Sequence, residues 1–183
     1  MSWKNTHSRY GTLSIALHWL MFLLMVAVYA TIELRELFPK GSDPREAMKA
    51  LHFMLGLCVL LFVVLRIYAK VTSPTPLIVP GVSPGQELAA KLGHLALYGL
   101  MIIMPVLGWL VLSAAAKPIP FFGLEMPPLI AENKDLAKSL KEIHETIGVL
   151  GYYLIAIHVL AALYHHHIRK DNTLTRMLPL KKK

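Results

Sequence analysis

Four long stretches without a single charged side chain constrain this chain more than any other feature. Residues 10–32, 50–65, 92–116 and 146–168 contain no Asp, Glu, Lys or Arg. Three of them run for 23 to 25 residues, long enough to cross a hydrocarbon core of about 30 Å as α-helix. The second is 16 residues long, and Arg66 and Lys70 beyond its end extend it by snorkelling to the interface. One such run is compatible with a buried helix of a soluble protein, but four in 183 residues leave too little polar chain to wrap them. The predicted fold is all-α: an integral membrane four-helix bundle, one domain over 1–183, with helices at about 11–37, 45–70, 86–115 and 136–168.

Charge sets the expected orientation. The net charge of +8 could suggest a nucleic-acid partner, but its distribution argues against one. With four crossings, the N-terminus, residues 66–91 and the C-terminus share one side, where eleven Lys/Arg face two acidic residues. The opposite side, residues 33–49 and 117–145, holds eight basic and nine acidic residues. The positive-inside rule then places both termini in the cytoplasm. The closing Lys181-Lys182-Lys183 reads as an anchor to lipid headgroups. Val28-Tyr29-Ala30 resembles a signal-peptidase site, but the preceding apolar run is longer than a usual signal segment, so the first helix is expected to stay uncleaved.

Between the helices, prolines mark the connectors. Pro39, Gly41 and Pro44 turn the first external loop, and Pro74, Pro76, Pro80 and Pro84 make residues 71–85 an extended cytoplasmic connector. Pro105 is expected to kink the third helix. The long external loop 117–135 has an apolar centre, Phe121-Phe122-Gly123-Leu124, and is expected to fold down as a lid.

Nine histidines is a high count, and their depths form a pattern. His144 and His158 lie fourteen residues apart on the last helix, which is about 21 Å of rise and within roughly 40° around the axis. His52 lies at the external start of helix 2, matching His144 in depth. His18 lies on the inner half of helix 1, matching His158, and His94 lies early in helix 3, also on the inner half. An imidazole facing lipid is costly, so intramembrane histidines face the bundle interior and find a partner. A hydrogen bond to a neighbouring helix suffices for any one of them. Two depth-matched pairs sharing one helix are better explained by bis-imidazole ligation of two haem irons. Zinc or a di-iron centre calls for three or more ligands at one depth, often with carboxylates, and the apolar cores contain no Asp or Glu. Cys58 is alone and no C-x-x-C-H occurs, so covalent haem attachment of the usual kind is excluded.

Several polar residues stay open to two readings. His52 and Gly56, like His144 and Gly148, form H-x-x-x-G, which either lets backbone approach a macrocycle or serves ordinary small-residue packing. His165-His166-His167 either hydrates the interface or, through His165, lines a quinone or propionate site two turns beyond His158. Arg9, Arg66 and Arg169 are inner propionate candidates and Lys49 and Lys141 outer ones, although such residues more often serve simply as interfacial anchors.

Several segments carry a family resemblance: Leu17-His18-Trp19-Leu20, Gly93-His94-Leu95, Phe122-Gly123-Leu124-Glu125-Met126-Pro127, His144-Glu145-Thr146, and the run from His165 through Lys170-Asp171-Asn172-Thr173-Leu174 to Pro179. With these the chain resembles the small bacterial cytochrome b561 proteins, di-haem membrane cytochromes of four helices, over essentially its whole length. The resemblance implies haem ligands at His18 and His158 for an inner haem and at His52 and His144 for an outer one. It leaves His94 without an axial role. It also implies the bacterial inner membrane and, in one branch, superoxide oxidase activity with ubiquinone as acceptor. External cations (Lys40, Arg45, Lys49, Lys117, Lys134, Lys138, Lys141) suit a superoxide anion, although the nine external carboxylates oppose them. The enzyme reading is a superoxide:quinone oxidoreductase. The alternative is a non-enzymatic cytochrome b subunit that passes electrons between a partner dehydrogenase and the quinone pool.

Overall fold

The structure is a computed structural model and describes residues 3–179; the Lys181–Lys183 anchor lies outside the described residues. Helix α1 spans Thr12–Leu34 and continues as a 3-10 turn over Arg35–Leu37. Helix α2 spans Asp43–Val71, α3 Pro84–Ala114 and α4 Lys134–Tyr164. All four are long and apolar enough to cross a membrane, so the chain is an all-α membrane bundle. Its many exposed Leu, Val and Ile side chains, such as Val64, Leu150, Ile157 and Leu160, are what a lipid solvent requires.

The helix ends follow local chemistry. Asp43 and Glu46 occupy the first turn of α2, where the helix dipole favours negative charge. Helix α3 begins two residues earlier than the sequence suggested, with Pro84 at its first position, where a missing N–H costs nothing. Ser83 and Gln86 cap it reciprocally: the Gln86 N–H donates to Ser83 Oγ at 3.4 Å and the Ser83 N–H to Gln86 Oε1 at 3.1 Å. The same helix runs on through Pro105. Asn133 caps α4 by accepting the Leu136 N–H at 3.0 Å. At its far end α4 widens into a π-turn over His165–Arg169 and stops at Lys170, whose φ of 55° is left-handed.

The loop at 117–135 departs from expectation. It forms a two-residue hairpin, β1 (Pro120–Phe121) against β2 (Leu124–Glu125), with Phe122 and Gly123 both at positive φ, the condition for the hairpin turn whose twist matches its strands. Ile119 is buried, and Trp109 Nε1 donates to the Pro127 carbonyl at 2.9 Å. Phe122 and Leu124 are 64 % and 69 % exposed, while the Phe122 N–H donates to Met54 Sδ of α2 at 3.3 Å, so the tip meets the helix through its backbone and leaves these apolar side chains outside.

The chain divides into two compact units. One comprises residues 1–20, 64–99 and 151–183; the other comprises 21–63 and 100–150. The first is tied by its non-helical segments. Asn172 accepts the Val79 N–H on Oδ1 and donates its own N–H to the Val79 carbonyl, Arg176 donates to the Pro76 carbonyl, and Trp19 Nε1 donates to the Met177 carbonyl. The second has a packed interior of Met21, Val59, Val63, Leu100, Leu112, Ala114 and Ile119.

Candidate functional site

In the second unit, α2 presents His52 and α4 presents His144, with ring centroids 6.3 Å apart and planes at 76°. His52 Nδ1 lies 3.0 Å from the Val28 carbonyl oxygen on α1. A carbonyl only accepts, so Nδ1 carries the proton and Nε2 is the nitrogen with a free lone pair. His144 Nδ1 is buried without a hydrogen-bond partner. Its ring lies against Gly108 of α3: a Cβ there would stand 3.4 Å from His144 Cε1. The two glycines of the H-x-x-x-G pairs differ. Around Gly56 a Cβ would meet open space, whereas Gly148 is packed by Met104 Cε and its carbonyl accepts the Tyr29 hydroxyl at 2.9 Å.

In the first unit, His18 (α1), Arg66 (α2), His94 and Tyr98 (α3) and His158 (α4) come together. The His18 and His158 ring centroids are 6.4 Å apart, and His94 stands edge-on to His158 at 5.5 Å. Arg66 Nη2 donates to His18 Nδ1 at 2.9 Å and Nε to the Tyr98 hydroxyl at 3.3 Å. Its Nη1 is buried and unpartnered. Lys70 Nζ sits over the Tyr98 ring, 4.9 Å from its centre.

The two pairs can be tested against the group that the sequence suggests. Imidazoles on opposite sides of one iron place their ring centres about 6–6.5 Å apart, from metal–nitrogen bonds of about 2.0–2.1 Å and a further ~1.1 Å to each ring centre. Both observed separations, 6.3 and 6.4 Å, fall in that interval. The donor set agrees: neutral imidazoles, one of them oriented by a backbone carbonyl in the manner of a metal-bound histidine. The residues present fit haem.

The remaining anticipated residues are placed as follows. His165 Nδ1 pairs with Asp171 Oδ2 at 2.5 Å at the end of α4. Burial opposes the Asp171 charge, but hydrogen bonds from His165 and Thr173 outweigh it and hold the carboxyl below its usual range. Arg9 is half-buried, with no side-chain partner among the described residues, and Arg169 Nη2 donates to the Gly81 carbonyl at 3.3 Å. Lys49 and Lys141 are paired with Glu46 and Glu145 at 2.6 and 3.2 Å.

Arg45 corrects the expectation of an external cation. It is buried, donates to the carbonyls of Arg35 and Phe38 at 3.1 and 2.8 Å, and binds both Glu36 carboxylate oxygens. Its charge closes the α1–α2 loop and is not displayed to solvent. Sequence reasoning also missed Gly108, Tyr98, the Val28 carbonyl and the Asp171 partner. Only Asp171 left a trace, inside the Lys170–Leu174 run that carried the resemblance.

Residues 9–180 match the family described as prokaryotic cytochrome b561. A Yersinia pestis protein named probable superoxide oxidase CybB is 40 % identical, the match covering 96 % of this chain and 99 % of that protein. Cytochrome b561 homolog 1 of Escherichia coli K12 is 38 % identical over 96 % and 99 % of the two chains, and homolog 2 is 34 % identical over 97 % and 95 %. Four membrane-crossing helices with paired histidines, matched end to end by such relatives, make this chain a member of the prokaryotic cytochrome b561 family, haem b-binding electron-transfer proteins of the bacterial inner membrane.

Proposed function

We propose that the chain holds two b haems, one between His18 and His158 and the other between His52 and His144, and carries electrons from superoxide at the periplasmic face to ubiquinone. The observation that carries this reading is that each unit brings one histidine pair to the same 6.3–6.4 Å ring separation. When bound, haem supplies reversible one-electron chemistry at its iron.

The protein's own residues orient and tune. Val28 fixes the His52 tautomer through Nδ1. Ligation through Nε2 would leave the remaining His18 proton on Nδ1, and the Arg66 guanidinium, which donates there in this structure, would need another acceptor. A haem carboxylate would answer that need and the unpartnered Nη1 together, and Arg66 is the residue that would hold the inner propionate. His94 packs against His158 and holds its ring. Both termini are cytoplasmic in this reading, by the excess of basic residues on that side.

The redox balance is simple. Two superoxide anions lose one electron each and leave as dioxygen, and one quinone takes two electrons and two protons. The name of the Yersinia pestis relative supports the superoxide half.

The test is a pyridine haemochrome assay on purified chain, with His52→Ala and His158→Ala alongside, followed by superoxide-driven ubiquinone reduction. Two b haems per wild-type chain, one lost in each variant, and quinone reduction by the isolated chain are expected. Full haem occupancy in both variants sinks the ligand assignment. Quinone reduction that needs a co-purifying dehydrogenase turns the reading to the electron-transfer subunit instead.

A further inference from the structure

The hairpin at 120–125 displays apolar residues where a loop in water would hide them. Residues 118–131 carry a single charge, Glu125, and Phe122, Leu124 and Leu129 are all exposed. Adjacent strand residues point to opposite sides. Leu124 therefore shares a side with its cross-strand partner Phe121, and Glu125 shares the other with Pro120. The tip has one apolar side and one charged side.

One contact sets its depth. The Phe122 N–H, in the turn, donates to Met54 Sδ at 3.3 Å. Met54 is the fifth residue of the charge-free run 50–65 on α2, about 6 Å below the start of that run. A helical side chain leans toward the N-terminus of its helix, so the contact lies within the first apolar turn, past Lys49. Leu51, one turn before Met54 on the same side of α2, is exposed like the tip. The apolar side of the hairpin thus continues the lipid-facing surface of α2.

Backbone that enters a membrane boundary must satisfy its own polar groups. Here the two strands pair, the Met126 N–H donates to the Ile119 carbonyl at 2.9 Å, and the Leu129 N–H donates to Ser113 Oγ at 3.0 Å. Trp109, near the end of α3 that feeds the hairpin, bonds the Pro127 carbonyl through Nε1. Tryptophan is a residue that favours the membrane–water boundary.

We propose that the 120–125 hairpin is a bilayer-inserted tip. Phe122 and Leu124 enter the boundary between headgroups and acyl chains in the leaflet beside them, and Glu125 stays among the headgroups. The occupant of this apolar surface is lipid, because a soluble protein would have to reach below Lys49 to cover it. The tip thereby places lipid beside α2 at the level of His52, two residues before Met54.

Spin labels test the depth. In a Cys58→Ala chain, Leu124→Cys, Leu61→Cys and Lys138→Cys are each labelled with a nitroxide and placed, haem-loaded, one chain per lipid nanodisc. Leu61 is exposed in the middle of the apolar run of α2, and Lys138 is exposed in the first turns of α4. Power saturation compares collisions with oxygen, which concentrates in lipid, and with nickel(II) ethylenediaminediacetate, which stays in water. The label at position 124 is expected to favour oxygen, as at position 61 and in the opposite sense to position 138.

A label at 124 that meets the nickel complex as freely as the one at 138 puts the tip in water and overturns the proposal. A label shielded from both reagents overturns it too, since protein would then cover the tip. If Leu124→Cys does not fold, Phe122→Cys is read by the same signs.

Discussion

Individual residues in this protein are legible in proportion to how far their chemistry depends on chain spacing. His18, His52, His144 and His158 were found from depth and period, and the structure brings them together in the expected pairs. What spacing cannot show is which neighbour presses on a ring. Gly108 is the clearest case, because a Cβ there would stand 3.4 Å from His144 Cε1 and 3.9 Å from Nδ1. Alanine asks the ring to yield by a few tenths of an ångström, while leucine cannot be accommodated without turning it. Gly108→Ala is therefore expected to keep both haems and Gly108→Leu to lose the one on His52/His144, measured as haem per chain. Two haems in the leucine variant would show that the His144 ring position is not what holds its haem. Arg45 was misread for a related reason. A charge at a loop looks exposed in sequence, and only the fold shows two backbone carbonyls and Glu36 enclosing it.

At the scale of elements, the four helices followed from charge-free length, and their ends shifted by a few residues where capping decided the boundary. The Ser83–Gln86 box and Asn133 cap carry known sequence signatures. The hairpin at 120–125 does not, since its turn sets Phe122 at φ 47°, a conformation that bulky residues rarely adopt. The π-turn after Tyr164 is likewise invisible in a triple histidine. The tail beyond it packs on the 74–79 connector, and Asn172 is the hinge of that contact, with side-chain bonds to Val79 N at 2.9 Å and the Leu77 carbonyl at 3.4 Å. Losing both in Asn172→Ala is expected to cost about 1–3 kcal/mol, as each such bond contributes about 0.5–1.5 kcal/mol. Asn172→Asp keeps the acceptor for Val79 and loses the donor to Leu77, so it should fall between. Thermal unfolding in detergent checks the order, and an alanine variant as stable as wild type would show that the tail is held elsewhere.

For the whole molecule, the remaining quantity is direction. Helix length and composition fix four crossings but are indifferent to which end faces the cytoplasm. Only the loop charges break that symmetry: eleven basic and two acidic residues on the terminal side, against eight and nine on the other. Translocation of short basic segments is disfavoured by the membrane potential and anionic headgroups, which is the argument for the proposed orientation with both termini inside. On the side proposed to face outward, Arg45, Lys49 and Lys141 are each paired with a carboxylate. On the inner side Arg9 has no ionic partner among the described residues. A fluorescent protein fused after Lys183 is therefore expected to light up, and alkaline phosphatase fused there to stay inactive. The same phosphatase placed in the loop at 129–132 should be active. Reversed reporters would overturn the proposed orientation and bring the His18/His158 pair to the face that meets superoxide.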